Sequence, residues 1–326
     1  MKKQGIMLAV LMVLAVFLFV GCVSTNSDVV ENLTFWDPTV LNGVTAVTSD
    51  GLYKEWAQIS PDGSKLIYCE KPYNQDDAAW NIVLLRDPTS PAKTQLVKSG
   101  FAPAWYENNT NFAYVTWENS TYKMLRTSIA GGAKTYITRN PDGQGEVRPT
   151  VKEGVILCNT APTNSNSTLV TIRDNGNEYT MLGQGHSPSW HPFENKFLFI
   201  RGTTLYEMDA ATTQVTELFD DAPYNVGFPT YSGDGQYILF QKGAEVKTTR
   251  TVQTVVDGKK KNERVVESRV DKWQIFCMKA DGSEVRNLTE GNVSAYGPTW
   301  DKNNNIYFIS DAKGKTEIYR ATVNLE

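Results

Sequence analysis

From Ala57 onward the chain repeats one pattern: a step ending on a large apolar residue, a tight polar turn, then an unbroken apolar run. It recurs as AQISPDGSKLIYC from Ala57, PAWYENNTNFAYVTW from Pro103, PTVKEGVILC from Pro149, PSWHPFENKFLFI from Pro188, PTYSGDGQYILF from Pro229 and PTWDKNNNIYFIS from Pro298. The starts are 46, 46, 39, 41 and 69 residues apart, one period near 43 with a single long insertion. Each unit predicts four short strands. The first ends at Ile59, Trp105, Val151, Trp190, Tyr231 or Trp300. A turn such as Ser60-Pro61-Asp62-Gly63 follows, with proline pre-setting φ at its second position and glycine at its fourth. The second strand is wholly apolar (66–69, 197–200, 306–309), which requires both of its faces to be buried. The third is amphipathic (82–86, 169–173, 275–279) and runs through turns such as Asp174-Asn175-Gly176 or Asp281-Gly282-Ser283 to a short fourth strand, 179–182 or 285–289.

Six such units predict an all-β fold, a six-bladed β-propeller of four-stranded antiparallel blades. The sixth unit ends after its third strand, 317–323, and residues 44–48 precede Ala57 at the offset a fourth strand would have. The expectation is therefore a ring closed by an N-terminal strand, leaving only short, protected edges. SPDG followed by KLIYC, the P-x-W/Y step and IFCMKADGSEVRNLT resemble the repeats of TolB-type propellers, also found in propeller domains of dipeptidyl-peptidase-like enzymes. The resemblance covers about residues 32–326 and implies a fold more than a function, because the residues that carry it are structural.

The other strong pattern is an apolar run of 15 residues, Ile6–Val20, after two lysines and before Gly21-Cys22. It has the length of a signal-peptide core and is short for a membrane span. Leu18-Phe19-Val20-Gly21-Cys22 resembles the bacterial lipoprotein lipobox, with Phe19 where leucine is commoner. That implies a signal peptide over 1–21, a lipidated Cys22 as mature N-terminus and a polar tether over 22–31. Val23, rather than aspartate, after the cysteine favours the outer membrane where enterobacterial sorting applies. The expected place is the bacterial cell envelope, lipid-anchored and facing the periplasm or the surface.

Composition then narrows the chemistry. With 32 Lys and Arg against 36 Asp and Glu, a formal net charge of −4 speaks against nucleic acid as a partner. The only two histidines, His186 and His191, fall at opposite ends of one predicted strand, roughly 16 Å apart at 3.3 Å per residue. They cannot readily share a metal, so no metal site and no cofactor are expected, although some TolB-like propellers are lyases with histidine-rich metal sites. No GxSxG nucleophile elbow accompanies the propeller. Cys69, Cys158 and Cys277 each lie in an apolar stretch, the setting of buried thiols.

An up-and-down meander sends the turns after strands one and three to one end of every blade and the variable loops after strands two and four to the other, where binding is expected. The largest of these is the insertion at 243–272, two polar β-branched arms about Asp257-Gly258, a hairpin signal. Between Lys247 and Lys272 it carries eight basic and four acidic residues, net +4, leaving −8 on the rest. Candidate binding residues on this face are Tyr73, Asp76, Asp77, His186, Asp220, Tyr224 and Tyr296, with Arg250, Lys259, Lys260 and Lys261 on the hairpin. The leading expectation is a monomeric, non-enzymatic lipoprotein scaffold that binds a protein or envelope component. The alternative is a small polar ligand, an oligosaccharide or peptide, bound or processed in the central channel. A deep channel mouth lined by convergent aromatic and charged side chains separates the second from the first.

Overall fold

The computed structural model describes residues 35–73, 75, 78–138, 145–161, 166–256 and 259–325, with backbone alone along 245–271. The lipobox, Cys22, the tether, Asp76, Asp77 and the Asp257-Gly258 turn lie outside the described residues.

Six four-stranded antiparallel sheets account for all 24 strands, and no helix occurs among the described residues. After β1 (Leu41–Ala46), blade 1 is β2 (Tyr53–Ile59), β3 (Leu66–Lys71), β4 (Asn81–Leu85) and β5 (Lys93–Lys98). Blade 2 follows with β6 (Phe101–Trp105), β7 (Asn111–Glu118), β8 (Thr121–Ser128) and β9 (Thr135–Tyr136). Blade 3 has β10 (Glu146–Lys152), β11 (Val155–Thr160), β12 (Thr168–Arg173) and β13 (Thr180–Gln184). Blade 4 has β14 (His186–Trp190), β15 (Lys196–Arg201), β16 (Thr204–Asp209) and β17 (Val215–Phe219). Blade 5 has β18 (Asn225–Tyr231), β19 (Tyr237–Val256), β20 (Lys259–Lys279) and β21 (Arg286–Asn287). Blade 6 has β22 (Ala295–Trp300), β23 (Asn305–Ser310), β24 (Glu317–Val323) and, as its outer strand, β1.

The doubly apolar second strands are explained by blade-on-blade packing. Leu66 and Tyr68 of β3 pack towards Tyr307, Ile309 and Ile318 of blade 6, while Ile67 and Cys69 pack towards Trp105, Phe112 and Tyr114 of blade 2. Alternate residues of one strand thus enter two different cores. The same arrangement recurs around the ring, and Cys69, Cys158 and Cys277 are free thiols buried in these layers.

Closure follows the sequence expectation. Strand β1 pairs antiparallel with β24, from Leu41 opposite Val323 to Ala46 opposite Tyr319. Just before it, Trp36 bridges to Thr289, so the entering chain also edges blade 5. Polar groups lock the seam. Glu317 accepts from Thr48 Oγ1 at 2.6 Å and from the Gly51 amide at 2.8 Å, and pairs with Lys54 at 3.0 Å. Lys54, fully buried, also pairs with Asp50, and Lys93 joins Asp50 to Glu70 at 2.6 and 2.7 Å. Burial pushes the Asp50 carboxyl up, but the hydrogen bonds from Lys54 and Lys93 outweigh it and hold it at about 2.

Candidate functional site: the mouth of the central channel

The first strand of every blade faces the channel, and each carries the same irregularity. Pairing with the second strand slips between Glu55 and Gln58, Phe101 and Ala104, Val147 and Thr150, His186 and Ser189, Gly227 and Thr230, and Tyr296 and Thr299. At each bulge one residue takes a left-handed backbone: Trp56 (φ 51°), Ala102 (48°), Arg148 (55°), Ser187 (52°), Phe228 (48°) and Gly297 (60°). Five of the six are not glycine, although a side chain there costs on the order of 1 kcal/mol or more. The bulge re-aims this residue to the channel wall. Five of the six precede a proline (Pro103, Pro149, Pro188, Pro229 and Pro298), which removes one backbone donor from the wall.

Around this ring large and small side chains alternate: Trp56, Ala102, Arg148, Ser187, Phe228, Gly297. Trp56, Arg148 and Phe228 line two spaces, one on either side of the ring. Towards the tight-turn end lies a waist of about 90 Å³ walled by the five prolines. Towards the variable-loop end opens a cavity of about 460 Å³ between blades 1, 5 and 6. Its walls are largely aromatic, with Tyr53, Tyr73, Trp273 and Tyr296 added to Trp56 and Phe228. Gln58, Gln241, Ser294, Asp311, Glu55 and Arg148 supply the polar groups. The aromatic wall continues outward, Tyr53 lying 5.4 Å from Trp80 and 6.1 Å from Tyr73 between ring centres. Gln241 is fixed by accepting the Gly297 amide at 2.8 Å.

Two opposite charges meet in this space. Burial pushes the Glu55 carboxyl up, against the lowering pull of the Tyr53 hydroxyl, which donates to it at 3.2 Å, and of Arg148 and Lys71. Arg148 lies over the Phe228 ring at 4.5 Å and donates to Ser187 Oγ. Burial pulls its guanidinium down to about 10, so it stays charged at neutral pH. His186 Nδ1 lies 3.1 Å from the same Ser187 Oγ. Burial, then the charge of Arg148, lowers its imidazole to about 4, leaving it neutral at pH 7.

Of the residues expected on the variable-loop face, Tyr73 and Tyr296 line this cavity, Tyr296 from strand β22 rather than from a loop. His186 stands behind the ring on Ser187. Asp220 and Tyr224 lie on the loop after β17, outside the lining, where Lys242 covers the Tyr224 ring at 4.7 Å and pairs with Asp221. Arg250, Lys259, Lys260 and Lys261 fall on the two arms of the β19–β20 ribbon, which pairs continuously from Glu245 opposite Val270 to Val256 opposite Lys259. Sequence reasoning missed Glu55, Trp56, Arg148, Phe228 and Trp273. The available signal, the residue before each repeated proline, reaches Arg148 and Phe228.

No family model matches the sequence, and no curated protein matches it. Solved structures do. TolB from Acinetobacter baumannii superposes with a TM-score of 0.51 at 13% identity, covering 81% of this chain and 65% of that one. The fold is that of the TolB-type propellers. An oligogalacturonate lyase in complex with manganese gives 0.53 at 14% identity, covering 90% and 96%. A gluconolactonase from Xanthomonas campestris gives 0.59 at 7%, covering 88% and 92%. At such identities the likeness concerns architecture, on which binding proteins and enzymes both occur. The lyase's manganese finds no counterpart set here: among the described residues no three His, Cys, Asp or Glu side chains converge, and the two histidines sit at opposite ends of β14.

Proposed function

We propose that this TolB-type propeller is a bacterial cell-envelope protein, anchored through Cys22, that binds a small polar ligand of the oligosaccharide class in the mouth of its channel. The observation that carries the reading is the cavity of about 460 Å³, in which aromatic faces and carboxyl, amide and guanidinium groups converge. Such a wall suits a ligand with apolar ring faces and hydroxyl edges: the rings cover the faces and the edges satisfy the polar groups. The space on the far side of the ring, about 90 Å³, is too narrow for a sugar ring, so the ligand enters and leaves at the variable-loop end. We read the site as binding rather than catalytic.

Tryptophan fluorescence tests this, because Trp56 and Trp273 both line the cavity. Titration with a panel of neutral and acidic oligosaccharides should give saturable quenching by at least one, weakened tenfold or more by Tyr296→Ala. A panel without effect, together with envelope proteins captured only when the ribbon is intact, would transfer the function to the loop face. The ribbon itself favours that second reading, since two strands of 20 and 21 residues project a paired arm from blade 5. Anchoring is tested separately: Cys22→Ala should abolish fatty-acid labelling, and labelling that persists would overturn it.

A further inference from the structure

We infer that Arg148 is an anion-binding residue at the floor of the mouth cavity, and that the ligand enters with a carboxylate foremost. This rests on the mouth being a ligand site and adds the chemistry of the end that reaches its floor. A guanidinium has five N–H donors. One donates to Ser187 Oγ, and the group lies over the Phe228 ring. No carboxylate among the described residues stands within ion-pair distance of it, Glu55 included, although both line the same cavity. A cation taken from bulk water with no carboxylate in direct contact is costly, the charge of Glu55 across the cavity offsetting burial only in part, and this one also sits on a left-handed backbone at φ 55°. A neutral small residue, as at Ala102 or Gly297, fills the equivalent place elsewhere in the ring without the cost of desolvating a charge.

The lining favours a singly charged anion that fits the guanidinium fork. Trp56 and Phe228 are the other two large members of the alternating ring and line the same cavity as Arg148. A carboxylate is flat and matches the guanidinium fork with two parallel hydrogen bonds, whereas a phosphate, which can do the same, brings up to two charges into a largely aromatic mouth. The Tyr53-bonded Glu55 is then available to a hydroxyl or ammonium group farther along the ligand.

The test uses the full propeller labelled with ¹⁵N-arginine, with benzoate, benzamide and inorganic phosphate as probes at constant ionic strength. The Arg148 Nε–H resonance is identified by its loss in Arg148→Gln and, independently, by its displacement in Phe228→Leu, which removes the ring beneath it. Benzoate should shift this resonance saturably, with benzamide at least tenfold weaker and phosphate weaker than benzoate. Equal shifts by benzoate and benzamide, a response to phosphate alone, or a resonance that none of the three moves would each overturn the inference. If benzoate titrates Arg148 but no oligosaccharide competes with it, the anion subsite stands and the oligosaccharide reading falls. Neutral oligosaccharides that quench fluorescence while benzoate leaves Arg148 unmoved would separate the two in the opposite direction.

Discussion

The two histidines stand at opposite ends of β14 and show how differently the two ends of this propeller are built. His191, 3% exposed, caps the tight turn after the strand: its Nδ1 accepts the amides of Phe193 at 3.2 Å and Glu194 at 3.0 Å, and its ring lies 4.6 Å from Tyr231. In the equivalent turns Ser60, Ser232 and Asp301 do the same work, accepting from the amides of Lys65 at 2.9 Å, Tyr237 at 3.0 Å and Asn303 at 2.7 Å. An imidazole there is one of several side chains that satisfy a buried amide. His186 has no such counterpart. It begins the strand at the variable end, beside Ser187 and the charge of Arg148, where each blade contributes a different side chain. One end is held by interchangeable caps and the other by individual residues, so mutations should separate the two into stability and binding.

The largest effect is expected at the seam. Lys54 is fully buried between Asp50 and Glu317, and Lys54→Met leaves Glu317, 4% exposed, without its cation. Removing one partner of a buried pair typically costs about 3–5 kcal/mol. The partly exposed Lys65–Asp62 pair in a tight turn, 3.7 Å apart, should contribute no more than about 1 kcal/mol when Lys65→Met removes it. Urea unfolding of both variants measures the difference; equal losses would mean that the seam is no more critical than a surface turn.

The histidine comparison comes next. His191→Ala uncovers two amides and leaves a gap beside Tyr231, for a loss of about 2–3 kcal/mol. His186→Ala should cost less than about 1 kcal/mol, since its side-chain polar contact is one hydroxyl, Ser187 Oγ, which keeps the hydrogen bond it accepts from Arg148. Thermal melts that rank the two the other way would break the division between the ends.

How far the sequence reveals each region follows the same division. The ring, its closure by an N-terminal strand and the tight turns are legible because the same physical demand recurs six times. Leu66–Cys69 must be apolar on both faces whichever blade lies beside it, and Ser60-Pro61-Asp62-Gly63 carries its turn locally. The mouth is less legible because the ring positions share a backbone state and not a residue type. Nothing in Trp56, Ala102, Arg148, Ser187, Phe228 and Gly297 repeats except the place before the step, and the bulge that turns them to the channel is visible only in the register. Tyr296 could be found because the sequence places it at the end of the variable loop after a fourth strand, although it belongs to β22. Glu55 and Arg148 are brought together by closure across blades, which no local pattern encodes.

A pH titration sharpens the seam further. Asp50 is held at about 2 in the folded chain against an ordinary 3.8. Its folded value is the lower one, so its contribution is present above about pH 3.8 and is lost as pH falls from there towards 2. Asp50→Asn should therefore lower the urea midpoint at pH 5–6, with the gap to the parent chain closing as pH drops below 4. A gap that stays constant down to pH 2.5 would show that the carboxylate charge contributes nothing to closure.

The smallest effect on stability is expected from the largest insertion. Strand β18 pairs with β19 only as far as Asn225 opposite Gly243, and β21 touches β20 only at Phe276 and Cys277. Beyond Glu245 opposite Val270 the two arms pair with each other alone. Phe240, Ile275 and Met278, which enter the core, lie outside the stretch from Lys247 to Arg269. Replacing that stretch by a short Gly/Ser turn shortens the loop, and closing a loop costs only weakly with its length. The melting temperature should stay within about 2 °C of the parent chain, roughly the shift that a change of 1 kcal/mol produces in a domain of this size. Ligand quenching at the mouth should persist in the trimmed chain, because Gln241 and Trp273, which line the cavity on either side of the ribbon, are both retained. A large loss of stability would show that the ribbon belongs to the blade. Loss of quenching in a chain of unchanged stability would show instead that the arm covers the mouth.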